Sequence, residues 1–505
     1  MLIAYDLGTG GVKASLYDDR MATLAKSFIE YPTYYPLPKR HEQRPGDWWS
    51  AVVASTRSLL RQSGATGDAV RCLALSGHSL VAVPVDRHGA PLQHQVPIWS
   101  DSRAEEQAEQ FFRKIEERQW YMKTGNGFPA PCYSLFKLMW LRENEPEIFA
   151  RIHKVMGSKD YVNFRLTGVI ATDHSYASGS GGYSLLRKRM KPDYLEAAGI
   201  PERIFPEILS PHAVLGGITE EAAGEIGLPA GTPVACGGVD NACMALGAVG
   251  ATEGRVYTSL GSSSWIPVNS ARPILDFAKR PYVFAHIQED MFTSAFSIFA
   301  GGSSLNWVRN TVTHDLRDAE NPFRLLDELA AGAPAGSNGV IFNPSLAGGT
   351  SQDKSPNIRG AYLGLHLGTT RQDLVRAAME GITMNLKLAH DFMLEQVDLS
   401  DSLLVCGGGG KSRFWLQMFA DVFGLKIVKT NIDQDAASLG AAAIAARAAG
   451  MWRDYGGLDA LHRVEHQCLP DPANREVYRR LLPVFKKTAE YLADVGDMMT
   501  AGREE

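Results

Sequence analysis

The stretch LIAYDLGTGGVKASLYD, residues 2–18, predicts the fold more clearly than any other segment. Two mostly apolar runs flank a turn built from Gly8, Thr9, Gly10 and Gly11, which is the pattern of a β-hairpin. We expect a third strand near TLAKSFIEY, a helix over GDWWSAVVASTRSLLRQSG, and two further strands at VRCLALSG and LVAVPVD. This order of strands, a helix and more strands predicts an α/β fold with a sheet at its core.

The same design recurs in the second half of the chain. In RVYTSLGSSSWIPV, residues 255–268, a strand, a Gly/Ser turn and a second strand follow one another, and LGSSS aligns with LGTGG. We therefore predict two similar domains, residues 1–243 and residues 244–449, with an interdomain cleft that is the natural site for a ligand. Residues 450–505 are expected to form a helical C-terminal tail.

Length and composition limit the classes of function. The 505 residues suit two large domains, and 45% hydrophobic with 21% charged residues is typical of a packed globular protein. A net charge of −5 gives no reason to expect nucleic acid or a membrane as a partner. The first residues show no secretory signal, and the six cysteines lack metal-type spacing. Both observations favour a cytoplasmic protein with buried, reduced thiols.

The turn in DLGTGGVK could bind phosphate. Its glycines leave backbone N–H groups unobstructed, and Asp6 beside them could hold Mg²⁺ directly or through water. The alternative is a glycine-rich hairpin with an incidental acid. A dinucleotide-binding turn is disfavoured, because Lys13 stands at the position of the third glycine and a strand follows.

The second turn offers Gly261 for close approach and the hydroxyl groups of Ser262 and Ser263 as donors. A polar hairpin without a ligand is the alternative. Two such turns facing one cleft would clamp a polyphosphate from both sides, as in the actin, hexokinase and sugar-kinase superfamily.

Asp240 lies in GGVDNACMALG, where two glycines precede a helix of small residues. Aspartate is a favoured N-cap, so a purely structural role is the alternative. A carboxylate at this corner could also accept the proton of a hydroxyl nucleophile during phosphoryl transfer. With the usual low pKa of aspartate, Asp240 would be ionised at neutral pH.

The glycine-rich segment VCGGGGKS, residues 405–412, resembles an NTP-binding phosphate loop but departs from it at one position. The phosphate loop G-x-x-x-x-G-K-[ST] requires its first glycine where this chain has Val405. The glycines therefore serve another purpose.

Two further segments make a family resemblance specific. Residues 360–365, GAYLGL, followed by residues 373–380, DLVRAAME, are similar to the second signature of the FGGY carbohydrate kinases. Residues 137–144, KLMWLREN, resemble most of the first signature, and KDYVNFRLTG and WSDSR resemble the xylulose kinase branch. The resemblance implies two ribonuclease-H-like domains (actin/hexokinase superfamily) around an ATP and sugar cleft, Mg²⁺ dependence, hinge closure and a homodimer.

The resemblance also implies roles for individual residues. Asp240 corresponds to the catalytic aspartate, and Asp6 and Asp240 would contact the metal. The loop from Asp6 to Lys13 resembles the family's phosphate loop, and the CGGGG loop would lie beside the adenosine of ATP. The implied ATP contacts are Gly8, Thr9, Gly10, Lys13, Gly261, Ser262, Ser263, Gly302, Gly408, Gly409 and Ser412.

The implied sugar contacts are His78, Ser79, Trp99, Asp101, Arg103, Asp240 and Asn241. Xylulose kinases have a Q-M-H-G-like stretch where this chain has His78 and Ser79. The chain is therefore expected to be an ATP-dependent kinase for a terminal hydroxyl of a ketopentose, with another ketose or a polyol as the alternative. An actin-like ATPase switch and a catalytically silent sugar sensor are the hypotheses from other classes.

Overall fold

The computed structural model describes residues 1–433 and 435–501, and a mixed sheet forms the centre of the first half. Its seven strands are β1 Leu2–Gly8, β2 Gly11–Tyr17, β3 Thr23–Glu30, β4 Cys72–Gly77, β5 Val214–Gly217, β6 Pro233–Ala235 and β7 Gly238–Val239. The order is β5-β6-β4-β1-β2-β3, and β7 pairs with β4 beyond the end of β6. Strands β1, β4, β6 and β7 run parallel, whereas β2 is antiparallel to β1 and β3.

A second seven-stranded sheet forms the centre of the other half. Its strands are β8 Val256–Leu260, β9 Ser264–Ser270, β10 Tyr282–Ala285, β11 Phe292–Ile298, β12 Ser402–Cys406, β13 Lys426–Thr430 and β14 Val464–Cys468. They lie in the order β10-β11-β9-β8-β12-β13-β14. The meander β8-β9-β11 repeats β1-β2-β3, and the parallel strands β12 and β13 repeat β4 and β6. The internal repeat predicted from the two hairpins is therefore present in the sheet topology.

Helices cover the two sheets. Within the described residues they are α1 Pro45–Ser63, α2 Glu105–Phe112, α3 Glu117–Thr124, α4 Ser134–Asn144, α5 Pro146–Ala150, α6 Ser158–Thr167, α7 His174–Ser178, α8 Pro192–Ala198, α9 Glu220–Ile226, α10 Asp240–Val249, α11 Gly301–Thr311, α12 Pro322–Ala331, α13 Arg371–Leu394, α14 Arg413–Phe423, α15 Ala436–Ala448 and α16 Pro472–Ala501. Short two-stranded ribbons pair Glu42–Gln43 with Val96–Pro97, Val83–Val85 with Lys154–Met156, Ala171–Asp173 with Glu207–Leu209, Tyr183–Ser184 with Arg189–Met190, and Ile341–Asn343 with Ala361–Leu363. None of the described helices is long and apolar enough to span a membrane.

Helices α10 and α15 lie between the two sheets. They cross closely, since a side chain on Gly247 would meet the backbone of Ala436 and one on Gly440 would meet the backbone of Cys243. Leu439 and Ile444 of α15 are buried against the first sheet, where each contributes about 1.5–3 kcal/mol of hydrophobic free energy. The alanine- and glycine-rich composition of these helices therefore serves close packing between the halves.

A second connection runs through the edge strand β10. The N–H of Val283 donates to the carbonyl of Gly125 (2.9 Å), and the hydroxyl of Tyr121 donates to the carbonyl of Pro281 (3.1 Å). Both partners in the first half belong to α3 or the loop directly after it. The two halves are thus joined at their central helices and along one edge.

The segment after residue 450 differs from the expected helical tail. Its second part is α16, but β14 adds an antiparallel edge strand to the second sheet. Strand β14 reads VEHQC and has a polar, mostly exposed pattern, so hydrophobic alternation did not reveal it. All six cysteines are buried and free, as their spacing predicted.

Candidate active site

Three parallel strands end at one edge of the first sheet and bring acidic and hydroxyl groups together there. Asp6 lies near the end of β1, His78 and Ser79 follow β4, and Asp240 follows β7. The register pairs Leu7 with Gly77 and Gly77 with Val239, so these strands end side by side. Ligands of open α/β sheets bind at the carboxyl ends of parallel strands, which identifies this edge as the candidate site.

Asp240 begins α10, but it is not the N-cap that the sequence allowed as an alternative. The cap position belongs to Val239, and the Asp240 carboxylate accepts the N–H of its neighbour Asn241 (2.7 Å). Its side chain is partly exposed. The carboxylate is therefore placed at a helix N-terminus, where the helix dipole stabilises negative charge, and it remains accessible from outside.

The pKa of Asp240 differs from the sequence-based expectation. The protein packed around the partly exposed carboxylate, with a smaller contribution from the nearby Asp6 carboxylate, raises this pKa to about 7. Backbone N–H groups of Asn241 and Ser79 act in the opposite direction but do not offset burial. Asp240 is thus poised between its protonation states near neutral pH. The sequence led us to expect a mostly ionised group, because the burial of Asp240 could not be read from the sequence.

Asp6 forms the other half of this acidic pair. It is 8% exposed, and the hydroxyl of Ser76 donates to its Oδ1 (3.0 Å). Burial raises the pKa of Asp6, Lys13 and Ser76 lower it, and Asp435 from the second half raises it. The charge of Asp240 in turn helps to raise the pKa values of Tyr31, Cys243 and Tyr257, although burial is the main cause in each case.

The first hairpin turn is fixed from one side and open on the other. The amide of Gln43 donates to the carbonyl of Thr9 (2.7 Å), and the indole of Trp99 donates to the Thr9 hydroxyl (2.9 Å). The indole of Trp48 in turn donates to Gln43 (3.0 Å). A side chain on Gly10 would meet no atom within 4 Å. The turn is therefore held rigidly while its tip stays free for a ligand.

The second hairpin turn packs against the start of α11. The N–H groups of Gly302 and Ser303 donate to the carbonyls of Gly261 and Ser262, each at 2.9 Å. A side chain on Gly302 would collide with Gly261, so this glycine is needed for packing and its N–H is already bonded. The side chains of Ser262 and Ser263 are exposed. The turn thus offers two free hydroxyl groups.

The glycine-rich loop after β12 lies beside the second turn. Gly407 has a φ of 88°, and a side chain there would lie 2.8 Å from the carbonyl of Leu260. Gly408–Lys411 form a single 3₁₀ turn, and Gly409 packs on Leu260, whereas Gly408 faces open space. The hydroxyl of Ser412 caps α14 by accepting the N–H of Trp415 (2.9 Å). Of the glycines that the sequence singled out in this loop, only Gly408 leaves room at its Cα for a ligand.

The segment around Trp99 forms a wall beside the first turn. Trp99 is 37% exposed, and its ring lies 6.1 Å from that of Phe128. Asp101 and Arg103 instead form a buried ion pair (Nη2–Oδ2 2.7 Å), which Glu42 extends. Asp101 also accepts the N–H of His41 (2.8 Å). The polar atoms of Asp101 and Arg103 therefore bond to other protein groups and fix the wall that carries Trp99, so these two side chains are not free to bind a sugar directly.

Lys137 is a site residue to which the sequence pattern gave no role. Its buried ammonium donates to the carbonyls of Leu80 (2.9 Å) and Ile98 (2.6 Å), which follow His78–Ser79 and precede Trp99. Burial lowers the pKa of Lys137 to about 8 and that of His78 to about 4. His78 is therefore neutral at physiological pH, and its ring packs edge-on against Trp48 (6.0 Å). Only the position of Lys137 in the first signature marked it.

The residues present suit Mg²⁺ and a polyphosphate. Magnesium is bound by one or two carboxylates together with water and substrate phosphates, so no dedicated protein cage is needed. Accordingly, the described part of the chain contains no cluster of three or more His, Cys, Asp or Glu side chains that could hold a metal. Asp6 offers a hard oxygen ligand, and the open tip at Gly10 leaves room for phosphate oxygens.

Comparison with known proteins covers the whole chain. The N-terminal domain model of the FGGY family of carbohydrate kinases matches residues 1–247, and its C-terminal domain model matches residues 256–449. Xylulose kinase from Bacillus subtilis (strain 168) is 29% identical over 509 residues, which cover 100% of this chain and 99% of the relative. Gluconokinase from Bacillus licheniformis is 26% identical over 490 residues, 96% of this chain and 94% of the relative. The crystal structure of xylulose kinase from Rhodospirillum rubrum is similar with a TM-score of 0.88 and 28% identity, covering 98% of this chain and 99% of that one.

Proposed function

Because the chain belongs to the FGGY family of carbohydrate kinases, we propose that it transfers the terminal phosphoryl group of ATP to a terminal hydroxyl of a ketopentose. The observation that carries this proposal is the position of Asp6 and Asp240 at the carboxyl edge of β1, β4 and β7, where the charge of Asp6 raises the pKa of Asp240. One carboxylate would serve the nucleotide and its metal, and the other the acceptor hydroxyl.

Asp240 would act as the general base. Its carboxylate accepts the proton of the attacking hydroxyl as the bond from oxygen to phosphorus forms and the bond to the leaving ADP oxygen breaks. A base is most effective when its pKa is near the working pH, and the pKa of about 7 meets this condition. The proton then leaves to water after the phosphorylated sugar departs.

The nucleotide would lie between the two hairpin turns. Asp6 and Asp240 are the residues that would face Mg²⁺, which when bound neutralises phosphate charge during transfer. Backbone groups of Gly8, Thr9 and Gly10, with Lys13 behind them, would hold phosphate oxygens from one side. Gly261, Ser262 and Ser263 would hold them from the other, and Gly408 would let the loop approach the nucleoside. Gly302, Gly409 and Ser412 support these turns through packing and capping.

The sugar would lie between Trp99 and the loop that follows β4. The exposed face of Trp99 offers an apolar surface, while Ser79 and Asn241 offer hydrogen bonds to hydroxyl groups. His78 is 1% exposed, so its neutral ring would support this loop from behind and not touch the sugar. Asp101 and Arg103 would act indirectly by fixing the wall that carries Trp99. Closure of the halves would exclude water and limit wasteful hydrolysis of ATP.

A coupled kinase assay over a panel of acceptors tests this function. The panel contains D-xylulose, D-ribulose, hexuloses, gluconate, tetritols and glycerol, each with Mg²⁺ and ATP. We expect the highest kcat/KM with a ketopentose. A clear preference for gluconate or a polyol would support the proposed kinase activity but would replace the ketopentose as its substrate. ATP hydrolysis that no acceptor stimulates would instead favour the actin-like ATPase switch.

Lys137→Met is expected to weaken sugar binding. The change leaves the buried carbonyl of Leu80 without a donor, at a cost of about 1–3 kcal/mol. It also removes one of the two donors to the carbonyl of Ile98, which keeps the N–H of Asp101 (3.1 Å), so both sides of the proposed sugar site are loosened. We expect the KM for the sugar to rise about tenfold, equivalent to about 1.4 kcal/mol, and the KM for MgATP to stay unchanged. Initial-rate titrations of both substrates measure this.

Lys154→Met is the matched control. Lys154 also donates to two carbonyls, those of Arg203 (2.8 Å) and Phe205 (2.9 Å), but it lies outside the candidate site. Its replacement should leave both KM values unchanged. Equal effects of the two variants on the KM for the sugar would contradict the role given to Lys137.

The domain division at residues 243/244, the cytoplasmic location and the homodimer remain predictions. An apolar stripe on α16 supports self-association, since its side chains are at least about half exposed in the described chain. The stripe consists of Val484, Tyr491, Val495, Met498 and Met499. A mass determination in solution would test the dimer.

A further inference from the structure

A buried ion cluster lies behind the strand that leads into Asp240. Lys159, at the start of α6, is 1% exposed, and its ammonium lies 2.6 Å from Asp160 Oδ1 and 3.0 Å from Asp173 Oδ1. Burial acts to lower the pKa of Lys159, but the two carboxylates more than offset it and raise the pKa overall. The ammonium is therefore charged and is paired with two carboxyl groups in the protein interior.

Burying charged groups destabilises the folded protein unless each of their polar atoms is hydrogen-bonded. Asp160 Oδ2 accepts the N–H of Gly157 (2.9 Å) and the hydroxyl of Thr172 (2.8 Å). Asp173 Oδ2 accepts the N–H of Ser175 (2.7 Å) and also the Ser175 hydroxyl. The cluster is thus a nearly saturated network that joins α6, α7 and the end of the strand Ala171–Asp173, with the ion pair to Lys159 as the contact of Asp173 Oδ1.

This network holds both ends of residues 236–239. At one end, Lys159 and Asn163 donate to the carbonyl of Cys236 (3.2 Å and 2.8 Å). At the other end, the Ser175 hydroxyl accepts the N–H of Val239 (3.0 Å) while donating to Asp173. Val239 immediately precedes Asp240, so the cluster reaches the proposed base through one peptide unit.

Residues 236–239 have little conformational rigidity of their own. Strand β7 has two residues and pairs only with β4. Gly237, just before it, has a φ of 76°, and a side chain there would collide with the backbone of Leu75. Glycine has more backbone freedom than any other residue, so bonds from neighbouring elements must fix this segment.

We propose that Lys159, Asn163, Asp173 and Ser175 are positioning residues that fix residues 236–239 and thereby direct the Asp240 carboxylate toward the acceptor hydroxyl. The inference rests on the proposed role of Asp240. A displacement of about 1 Å at a reacting group can lower a rate about 10²-fold, so a modest shift of this backbone suffices. The Ser175 hydroxyl bonds to Asp173 and Val239, which are not among the proposed sugar or nucleotide contacts. Its loss should therefore lower kcat and leave both KM values unchanged.

Two variants test the two ends of the segment. Ser175→Ala removes the bond to Val239, and Asn163→Leu removes the shorter of the two bonds to the carbonyl of Cys236. Asn163 Oδ1 is buried with no partner among the described residues, so leucine also removes an unsatisfied atom and should keep the protein folded. We expect kcat to fall about tenfold or more in both variants, measured well below each melting temperature. Ser175→Thr retains the hydroxyl and should restore most of the lost kcat.

Ser55→Ala is the matched control. Ser55 is fully buried, and its hydroxyl bonds only within α1, to the carbonyl of Val52 (3.0 Å). The Ser55→Ala variant should be less stable than the wild type but should have the same kcat. Amide hydrogen exchange of the peptide that covers residues 236–240 should become faster in Ser175→Ala and stay unchanged in Ser55→Ala.

The outcomes separate this inference from the function it rests on. Wild-type kcat in both Ser175→Ala and Asn163→Leu, alongside an inactive Asp240→Asn, would refute the positioning role alone. An active Asp240→Asn would refute the assignment of the base and the inference with it. Equal losses of kcat in Ser175→Ala and Ser55→Ala, or no rescue by a folded Ser175→Thr, would show a merely structural role.

Discussion

Asp240→Asn is expected to lower kcat by about 10²–10⁴-fold, because the amide keeps the shape of the side chain but cannot accept the proton of the acceptor hydroxyl. Binding of MgATP should persist, since Asp6 would still face the metal and the proposed phosphate contacts lie on the two hairpin turns. Steady-state kinetics with the preferred sugar measure the first effect, and titration calorimetry with MgATP measures the second. Near-normal turnover would contradict the base assignment.

Stability gives an independent check on the same variant. Because burial raises the pKa of Asp240 to about 7, its ionised form destabilises the fold. The cost is fully present above that pKa and disappears as the pH falls to the value of an unfolded aspartate. Without nucleotide and metal, Asp240→Asn should therefore melt at a higher temperature than the wild type at about pH 8, and the difference should narrow toward about pH 4.

Asp193→Asn is the matched control for this pH effect. Asp193 also lies in the first turn of a helix, α8, but it is exposed, and its hydrogen bond with Lys191 lowers its pKa. Its replacement should not stabilise the protein at high pH and should leave kcat unchanged. A stabilisation equal to that of Asp240→Asn would contradict burial as the cause.

The sequence predicted the repeated hairpins and the residues at their tips, because both depend on local patterns. Alternating apolar residues around Gly8–Gly11 and Gly261–Ser263 specify strand, turn and strand without reference to the rest of the chain. The family motifs then placed Asp6 and Asp240 in one cleft, and the matched domain models confirm the family. Local periodicity and short motifs were therefore sufficient to predict the two hairpins and the two aspartates.

Properties that depend on distant neighbours could not be predicted in the same way. The raised pKa of Asp240 comes from burial and from Asp6, which is far away in sequence. The glycine at 302 is required by the carbonyl of Gly261, and Asp101 is bonded to Arg103 and His41. Each of these facts needs the packed structure, because a residue type alone does not show which partner satisfies it.

The identity of the sugar also depends on contacts between residues that are distant in sequence. Specificity depends on which hydroxyl groups find partners in the closed cleft, and His78 and Ser79 replace the stretch typical of xylulose kinases. A xylulose kinase and a gluconokinase have similar sequence identity to this chain, 29% and 26%. Family membership therefore supports phosphoryl transfer to a sugar, while the acceptor panel must identify the substrate.

Asp6→Asn is the second variant with a large expected effect, a fall in kcat of about 10²–10³-fold. The amide can still accept the hydroxyl hydrogen of Ser76, so the strand edge should stay intact. It lacks the charge that a magnesium ligand needs, so the activity that remains should require a higher Mg²⁺ concentration. Rates measured over a series of Mg²⁺ concentrations give both quantities.

Asp18→Asn provides the matched control, because Asp18 follows the neighbouring strand β2 and bonds only to turn N–H groups of Arg20 and Ala22 (2.8 Å each). It should keep the wild-type kcat and Mg²⁺ requirement. The charge of Asp6 also raises the pKa of Asp240, so Asp6→Asn makes the base more fully ionised at neutral pH. If kcat falls although Asp240 is more fully ionised, the loss must come from the proposed interaction of Asp6 with the nucleotide and its metal. An unchanged Mg²⁺ requirement in Asp6→Asn would exclude Asp6 as the metal ligand, even if kcat fell.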